Sequence, residues 1–139
     1  MSVHYIPKGH HSIAPYFVVK SVHSLIDWLT SSFGAETLVK MELPDGRIQH
    51  AEIKIGDSII MAGQREPVMK LATHLYLKDV DAAFERCLKA GGKSLYAPIT
   101  HPYGDRGAGV EDPEGNIWWI STHVEDVSED EIIRRMSKK

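Results

Sequence analysis

The order of apolar and polar residues along the chain predicts both strands and helices. In residues 47–55 apolar and polar side chains alternate, which is the two-residue period of a strand with one buried face. In residues 22–33 the apolar side chains instead recur every three or four positions, which is the period of an amphipathic helix. The pattern therefore indicates an α+β protein.

The same succession of elements occurs twice in the chain. With an offset of 58 residues, Gly34 at the end of the first helix aligns with Gly92, and the turn at residues 44–46 aligns with the turn at 102–104. We expect this register to hold without an inserted residue through the last strand of each copy. Each copy reads strand, helix and three strands, over residues 14–64 and 72–122. A helix over residues 129–136 follows, and the capping box of Ser128 and Glu131 marks its start.

A βαβββ unit covers one face of its sheet with its helix and leaves the other face open. Two such units side by side predict one domain over residues 1–139, with a curved mixed sheet whose open face is concave. A ligand cavity is expected on that face.

Two short motifs add a family resemblance to this pattern. The first helix ends in Phe33-Gly34-Ala35, and the turn before the last strand reads Asp112-Pro113-Glu114-Gly115-Asn116. With the tandem units, these motifs resemble the vicinal oxygen chelate superfamily, which includes glyoxalase I, extradiol dioxygenases and bleomycin-resistance proteins. The segments at residues 12–16, 50–52, 104–106 and 126–128 resemble an uncharacterised bacterial branch that is often labelled glyoxalase-like. The resemblance covers residues 13–123 and implies the fold, whereas the superfamily includes lyases, oxygenases, epimerases and binding proteins.

Metal-dependent members of this superfamily hold a divalent ion with four residues of the concave face. The resemblance places those positions at Ala14, Met61, Ala72 and Trp119. Alanine offers no donor atom, tryptophan offers only an N–H group, and a thioether is a poor ligand for hard divalent ions. We therefore expect no metal cofactor, although His74, two residues from Ala72 on the same face, keeps a divalent metal open as an alternative.

The alternation of side chains along each strand assigns a mixed aromatic and polar set to the open face. Trp119 falls on this face, and Trp118 therefore packs under the helices. Aromatic walls with a few directed polar groups are typical of a small-molecule pocket, although such side chains also fill cavities or subunit interfaces. The set is Tyr16, Val18, His50, Glu52, Ile59, Met61, His74, Tyr76, Ala108, Val110, Ile117 and Trp119.

Four residues of the open face or its rim are candidates for chemistry or ligand contacts. His50, Glu52 and His74 are suited to metal binding, to acid–base catalysis or to hydrogen bonding with a ligand. Arg106 suits an anionic ligand at the cavity mouth, or a salt bridge that fixes its loop. The remaining histidines are expected to be exposed, among them His10, His11, His23, His101 and His123.

Composition narrows the classes of partner. The net charge is −3, and the only basic run is the short tail at residues 134–139, so nucleic acid and acidic membranes are not expected as partners. No segment approaches the roughly 20 apolar residues of a membrane span, and residues 1–8 lack the apolar core of a signal peptide, so we expect a cytoplasmic protein. The single cysteine, Cys87, is expected to be a buried apolar residue.

These observations lead to three hypotheses about function. The first is a metal-free protein, homodimeric as the superfamily resemblance implies, that binds a small, partly aromatic or apolar molecule with Tyr16, Met61, Tyr76 and Trp119 among its contacts. The alternative is a lyase or isomerase, similar to glyoxalase I, that acts on a small carbonyl compound with or without a divalent metal. The third is an interaction module whose concave face is filled by its own side chains.

Overall fold

Two βαβββ units and a short helix make up the protein. The computed structural model describes residues 3–138. The first unit comprises β1 (Tyr16–Val19), α1 (Val22–Phe33), β2 (Glu36–Glu42), β3 (Ile48–Ile55) and β4 (Ser58–Gln64). The second comprises β5 (Ala72–Tyr76), α2 (Val80–Lys89), β6 (Lys93–Thr100), β7 (Asp105–Glu111) and β8 (Ile117–His123), and α3 (Glu129–Ser137) follows. The predicted α+β class and the two βαβββ modules are confirmed.

Local signals define the ends of both long helices. The side chain of Ser21 accepts a hydrogen bond from the backbone N–H of Ser24 at the start of α1, and Asp79 does the same for Ala82 at the start of α2. Gly34 ends α1 in the left-handed region with φ 66°, where its N–H bonds to carbonyl groups of the last turn. None of the described helices has the length and apolar character needed to cross a membrane.

Each unit forms a four-stranded mixed sheet, and both sheets have the same topology. The strand orders are β1-β4-β3-β2 and β5-β8-β7-β6, with the first pair parallel in each sheet and the other pairs antiparallel. The helix-facing sides share one apolar core, in which the rings of Phe17 and Trp118 stack at 5.3 Å. Cys87 lies fully buried in this core, as predicted, and burial raises the pKa of its thiol to about 11. We call the side of each sheet that faces away from the helices its open face.

The repeat loses one residue in β7, and this corrects part of the predicted open face. In the first sheet Met41 pairs with His50, but the next residue, Glu42, pairs with Ile48. Gln49 is therefore left unpaired and forms a bulge in β3. The corresponding pairing of β6 with the start of β7 has no bulge. Because a shift of one residue exchanges the two faces along this strand, Ala108 and Val110 lie in the core with no exposed surface. Gly107 and Gly109 take their place on the open face.

Candidate ligand-binding faces

A line of hydrogen bonds crosses the open face of the first sheet. The guanidinium of Arg65 donates to the hydroxyl of Tyr16 over 3.1 Å, and this hydroxyl lies 3.4 Å from Nδ1 of His50. Nε2 of His50 lies 3.0 Å from the carboxylate of Glu52. These contacts are consistent with one direction of donation, from Arg65 to Tyr16 to His50 to Glu52, in which Nδ1 of His50 accepts and its Nε2 donates.

The N-terminal segment adds a second histidine to this line. Nε2 of His10 lies 3.0 Å from the other oxygen of Glu52, and only 9% of the His10 side chain is exposed. The prediction that His10 is exposed was therefore wrong. Hydrogen bonds from His50 and His10 hold the pKa of Glu52 below its usual value, although burial opposes them. We refer to Arg65, Tyr16, His50, Glu52 and His10 together as the first-sheet network.

Glycine at position 63 makes room for this network. A Cβ atom on Gly63 would lie 2.6 Å from the hydroxyl oxygen of Tyr16 and 2.8 Å from the backbone oxygen of Gln49. No real Cβ tolerates such distances, so any other residue would displace the Tyr16 ring. The contact between Tyr16 and His50 therefore depends on this glycine.

The open face of the second sheet is more aromatic. Trp119 is 40% exposed and lies between His74 on β5 and Gly109 on β7. The ring of Tyr96 on β6 covers Gly109, since a Cβ there would lie 2.8 Å from a ring carbon. The ring of Tyr76, the most exposed of these aromatic side chains, lies 4.5 Å from that of His74. We call Tyr76, His74, Trp119 and Tyr96 the aromatic row.

His101 extends the aromatic row at one end. Its ring stacks on Tyr103 at 4.9 Å and meets the edge of Tyr96 at 6.1 Å. Nε2 of His101 is shielded from solvent and has no hydrogen-bond partner within residues 3–138. The expectation of an exposed histidine was therefore wrong here too, because the neighbouring tyrosines cover the ring.

Polar groups also lie on this face, at the end of the sheet where β5 and β8 finish and β7 begins. Nε2 of His74 lies 3.1 Å from the hydroxyl of Ser121, and the Tyr76 hydroxyl donates to Asp105 over 2.9 Å. Nδ1 of His123 contacts the same Asp105 at 2.8 Å, and its Nε2 contacts Asp126 at 2.7 Å. These two carboxylates raise the pKa of His123, and hydrogen bonding to Asp105 raises that of Tyr76.

The structure separates the candidates that the sequence grouped together. His50 and Glu52 belong to the first-sheet network, whereas His74 contacts Ser121 and Tyr76, and no hydrogen bond or ion pair joins the two sets in the described chain. Arg106 lies on the helix-facing side, where its guanidinium donates to both oxygens of Asp81 at 2.8 and 2.9 Å. The salt-bridge alternative for Arg106 is therefore the one that the structure contains, and its side chain is not on the open face.

The donor atoms do not fit the metal site that the superfamily resemblance implies. Met61 pairs with Tyr16, and Trp119 pairs with His74, at equivalent places in the two sheets. Within residues 3–138 no three His, Cys, Asp or Glu side chains are grouped so that they can share a metal ion. A thioether and an indole in these positions offer no ligand for a hard divalent ion.

The tandem βαβββ fold with two open sheet faces defines a structural class of proteins. Comparison with known proteins identifies the superfamily. Residues 9–120 match the model of the Glyoxalase/Bleomycin resistance protein/Dioxygenase superfamily. The chain therefore belongs to this superfamily, which confirms the resemblance seen in the sequence.

Relatives and solved structures support this assignment. An uncharacterized protein of Mycobacterium bovis is 32% identical over 142 residues, covering 92% of this chain and 93% of that protein. The crystal structure of TioX from Micromonospora sp. ML1 superposes with a TM-score of 0.71 at 24% identity, covering 82% of this chain and 99% of TioX. A glyoxalase-related enzyme from Fulvimarina pelagi superposes with a TM-score of 0.65 at 17% identity, covering 81% of this chain and 88% of that enzyme. At these identities the solved structures establish the fold only.

Proposed function

We propose that this protein binds a small, partly aromatic or apolar molecule on its open sheet faces, without a metal ion. The observation that carries this proposal is the aromatic row on the second sheet. Trp119, Tyr76 and Tyr96 are 40%, 61% and 37% exposed, and the Tyr96 ring lies over Gly109, which pairs with Trp119 on the neighbouring strand. Exposed aromatic area with a few polar groups at its edge is what a ligand surface provides.

The remaining candidate contacts have distinct roles in this proposal. His74 supplies a polar contact within the aromatic row, and Tyr16 and Met61 supply apolar area on the first sheet. His50 and Glu52 supply directed hydrogen bonds beside them. We also propose that the protein forms a homodimer that encloses these faces, because both sheets leave apolar side chains exposed: Leu38, Met41, Leu95 and Ile99.

Replacing Trp119 by alanine tests the aromatic row directly. With the uncharged fluorescent compound N-phenyl-1-naphthylamine as the probe, we expect the variant to bind at least about tenfold more weakly, because a large apolar contact is lost. Trp119→Phe should retain most of the affinity. The matched control is Ile133→Ala on α3, which removes another exposed apolar side chain and should change nothing. Equal affinity of wild type and Trp119→Ala in fluorescence titration would rule out the aromatic row as the binding surface.

The first-sheet network favours a second candidate, a lyase or isomerase that acts on a small carbonyl compound. A histidine hydrogen-bonded to a carboxylate is a recognised acid–base arrangement, and here His50 also contacts the Tyr16 hydroxyl. For this candidate we expect Glu52→Gln to lower kcat by about 100-fold or more toward the aldehyde or ketone that wild type converts, with little change in binding. Glu36→Gln, at an exposed position of β2, is the control. If wild type turns over no member of a panel of small aldehydes and ketones, this candidate is wrong.

A further inference from the structure

The first sheet has a cationic hollow at the end where β1 and β4 finish and β3 begins. The hollow has a volume of about 410 Å³. Its lining residues come from all three strands and the segments next to them: Val19, Lys20, Arg47, Gln64, Arg65 and Glu66. It lies at the Arg65 end of the first-sheet network.

The charge of this hollow is opposite to that of the chain. Three of its lining side chains, Lys20, Arg47 and Arg65, are cationic and only Glu66 is acidic, whereas the chain carries a net charge of −3. None of these three cations forms an ion pair with a carboxylate of the described residues, although most other arginines do: Arg106, Arg134 and Arg135. A concave surface with unpaired positive charge attracts anions.

Hydrogen bonds hold the hollow in shape. The side chain of Gln64 accepts from the backbone N–H of Ile48 and donates to the backbone oxygen of Lys20, each over 2.9 Å. Gln64, at the end of β4, thus links the start of β3 to the residue that follows β1. Arg65 is fixed as well, because it donates to the Tyr16 hydroxyl and its guanidinium carbon lies 5.8 Å from the centre of that ring. A guanidinium has five N–H groups, and a single hydrogen bond from Arg65 is found among residues 3–138.

We propose that the cationic hollow binds the oxyanion of a small organic acid, a carboxylate or a phosphate, with the rest of the molecule lying along Tyr16. Planar N–H pairs of Arg65 and Arg47 match the paired oxygens of such groups, and Lys20 adds a third charge. The site shares Tyr16 with the function proposed above, but it involves neither Trp119 nor Tyr96 and adds a class of ligand, the anions, that the proposed function does not include. A failure of the Trp119 test does not affect it.

The test uses benzoate and its uncharged counterpart benzamide, which have nearly the same shape. In NMR titrations of the full chain, we expect benzoate to shift the side-chain Nε–H signals of Arg47 and Arg65 and to saturate, whereas benzamide leaves them in place. Inorganic phosphate should shift the same signals and compete with benzoate. Arg65→Gln should weaken benzoate binding by about tenfold, the scale expected for losing a charge-assisted hydrogen bond.

The control for overall charge is Arg134→Gln on the exposed side of α3, which removes the same charge far from the hollow in sequence. Benzoate affinity should be unchanged in this variant. The proposal is overturned if benzoate does not saturate the signals, if benzamide shifts them equally, or if Arg134→Gln weakens benzoate as much as Arg65→Gln does. The last outcome would mean that benzoate responds only to net charge.

Discussion

Trp118→Ala is expected to lower the free energy of unfolding by about 3 to 5 kcal/mol. The same change at the adjacent residue, Trp119→Ala, is expected to cost less than about 1 kcal/mol, because that side chain is on the surface. Since small domains are stable by only about 5 to 15 kcal/mol, the first substitution removes a large part of the total stability and the second does not.

The reason for the difference is the face that each side chain occupies. Trp118 is 1% exposed, and its ring packs against Phe17, Phe33 and Trp28 with centroid separations of 5.3, 5.5 and 6.0 Å. Phe17, Phe33 and Trp28 belong to the first unit and Trp118 to the second, so the substitution opens a cavity in the part of the core that joins the two units. Trp119 has none of these contacts.

Urea denaturation followed by far-ultraviolet circular dichroism measures both variants. All samples should be compared at one protein concentration, because any self-association stabilises the folded state in a concentration-dependent way. If the two substitutions cost the same, the division of the two tryptophans between core and open face is wrong.

Strand alternation predicted this division, and the internal repeat predicted the order of the elements in both units. Both are local or periodic properties that can be read along the chain. They were sufficient for the open face of the first sheet, where Tyr16, His50, Glu52 and Met61 follow the predicted alternation. The faces of these residues are observed, whereas their contacts with a ligand remain predictions.

The predicted faces and contacts were wrong where strand register, or a contact between residues far apart in sequence, determines the structure. The bulge in β3 has no counterpart in β7, and a single unmatched residue was enough to exchange the assigned faces of Ala108 and Gly109. His10 contacts Glu52 across 42 residues of sequence, from a segment without periodicity, and no local pattern identifies such a partner. Tyr96 was missed because two register shifts interrupt the alternation of β6.

The two open faces therefore differ in character, although the two sheets have the same topology. The first sheet carries the polar first-sheet network, covered in part by the N-terminal segment through His10. The second carries the aromatic row, where Gly109 occupies the strand position that corresponds to Glu52. At these equivalent places the first sheet therefore presents the charged side chain of Glu52, whereas the second presents the Tyr96 ring over Gly109.

The Asp112 turn, one of the motifs that carried the family resemblance, has a structural role, and Asp112→Asn should lower the free energy of unfolding by about 2 to 3 kcal/mol. One oxygen of Asp112 accepts from the backbone N–H groups of Glu114 and Asn116, and the other accepts from the indole N–H of Trp118 over 2.9 Å. Burial raises the pKa of Asp112, and these N–H donors oppose that rise by favouring the carboxylate. Every partner of the side chain is a donor.

Asparagine cannot satisfy these donors, because one of its two terminal groups is itself a donor. Whichever way the amide is placed, its NH₂ group faces either the Trp118 N–H or the two backbone N–H groups, and a buried donor is left without an acceptor. The control is Asp45→Asn, an exposed turn residue whose side chain accepts from the N–H of Arg47, where we expect a change below about 0.5 kcal/mol. Thermal and urea unfolding of both variants should show the difference. Equal stability of Asp112→Asn and wild type would mean that the turn tolerates unpaired donors and that its role is not structural.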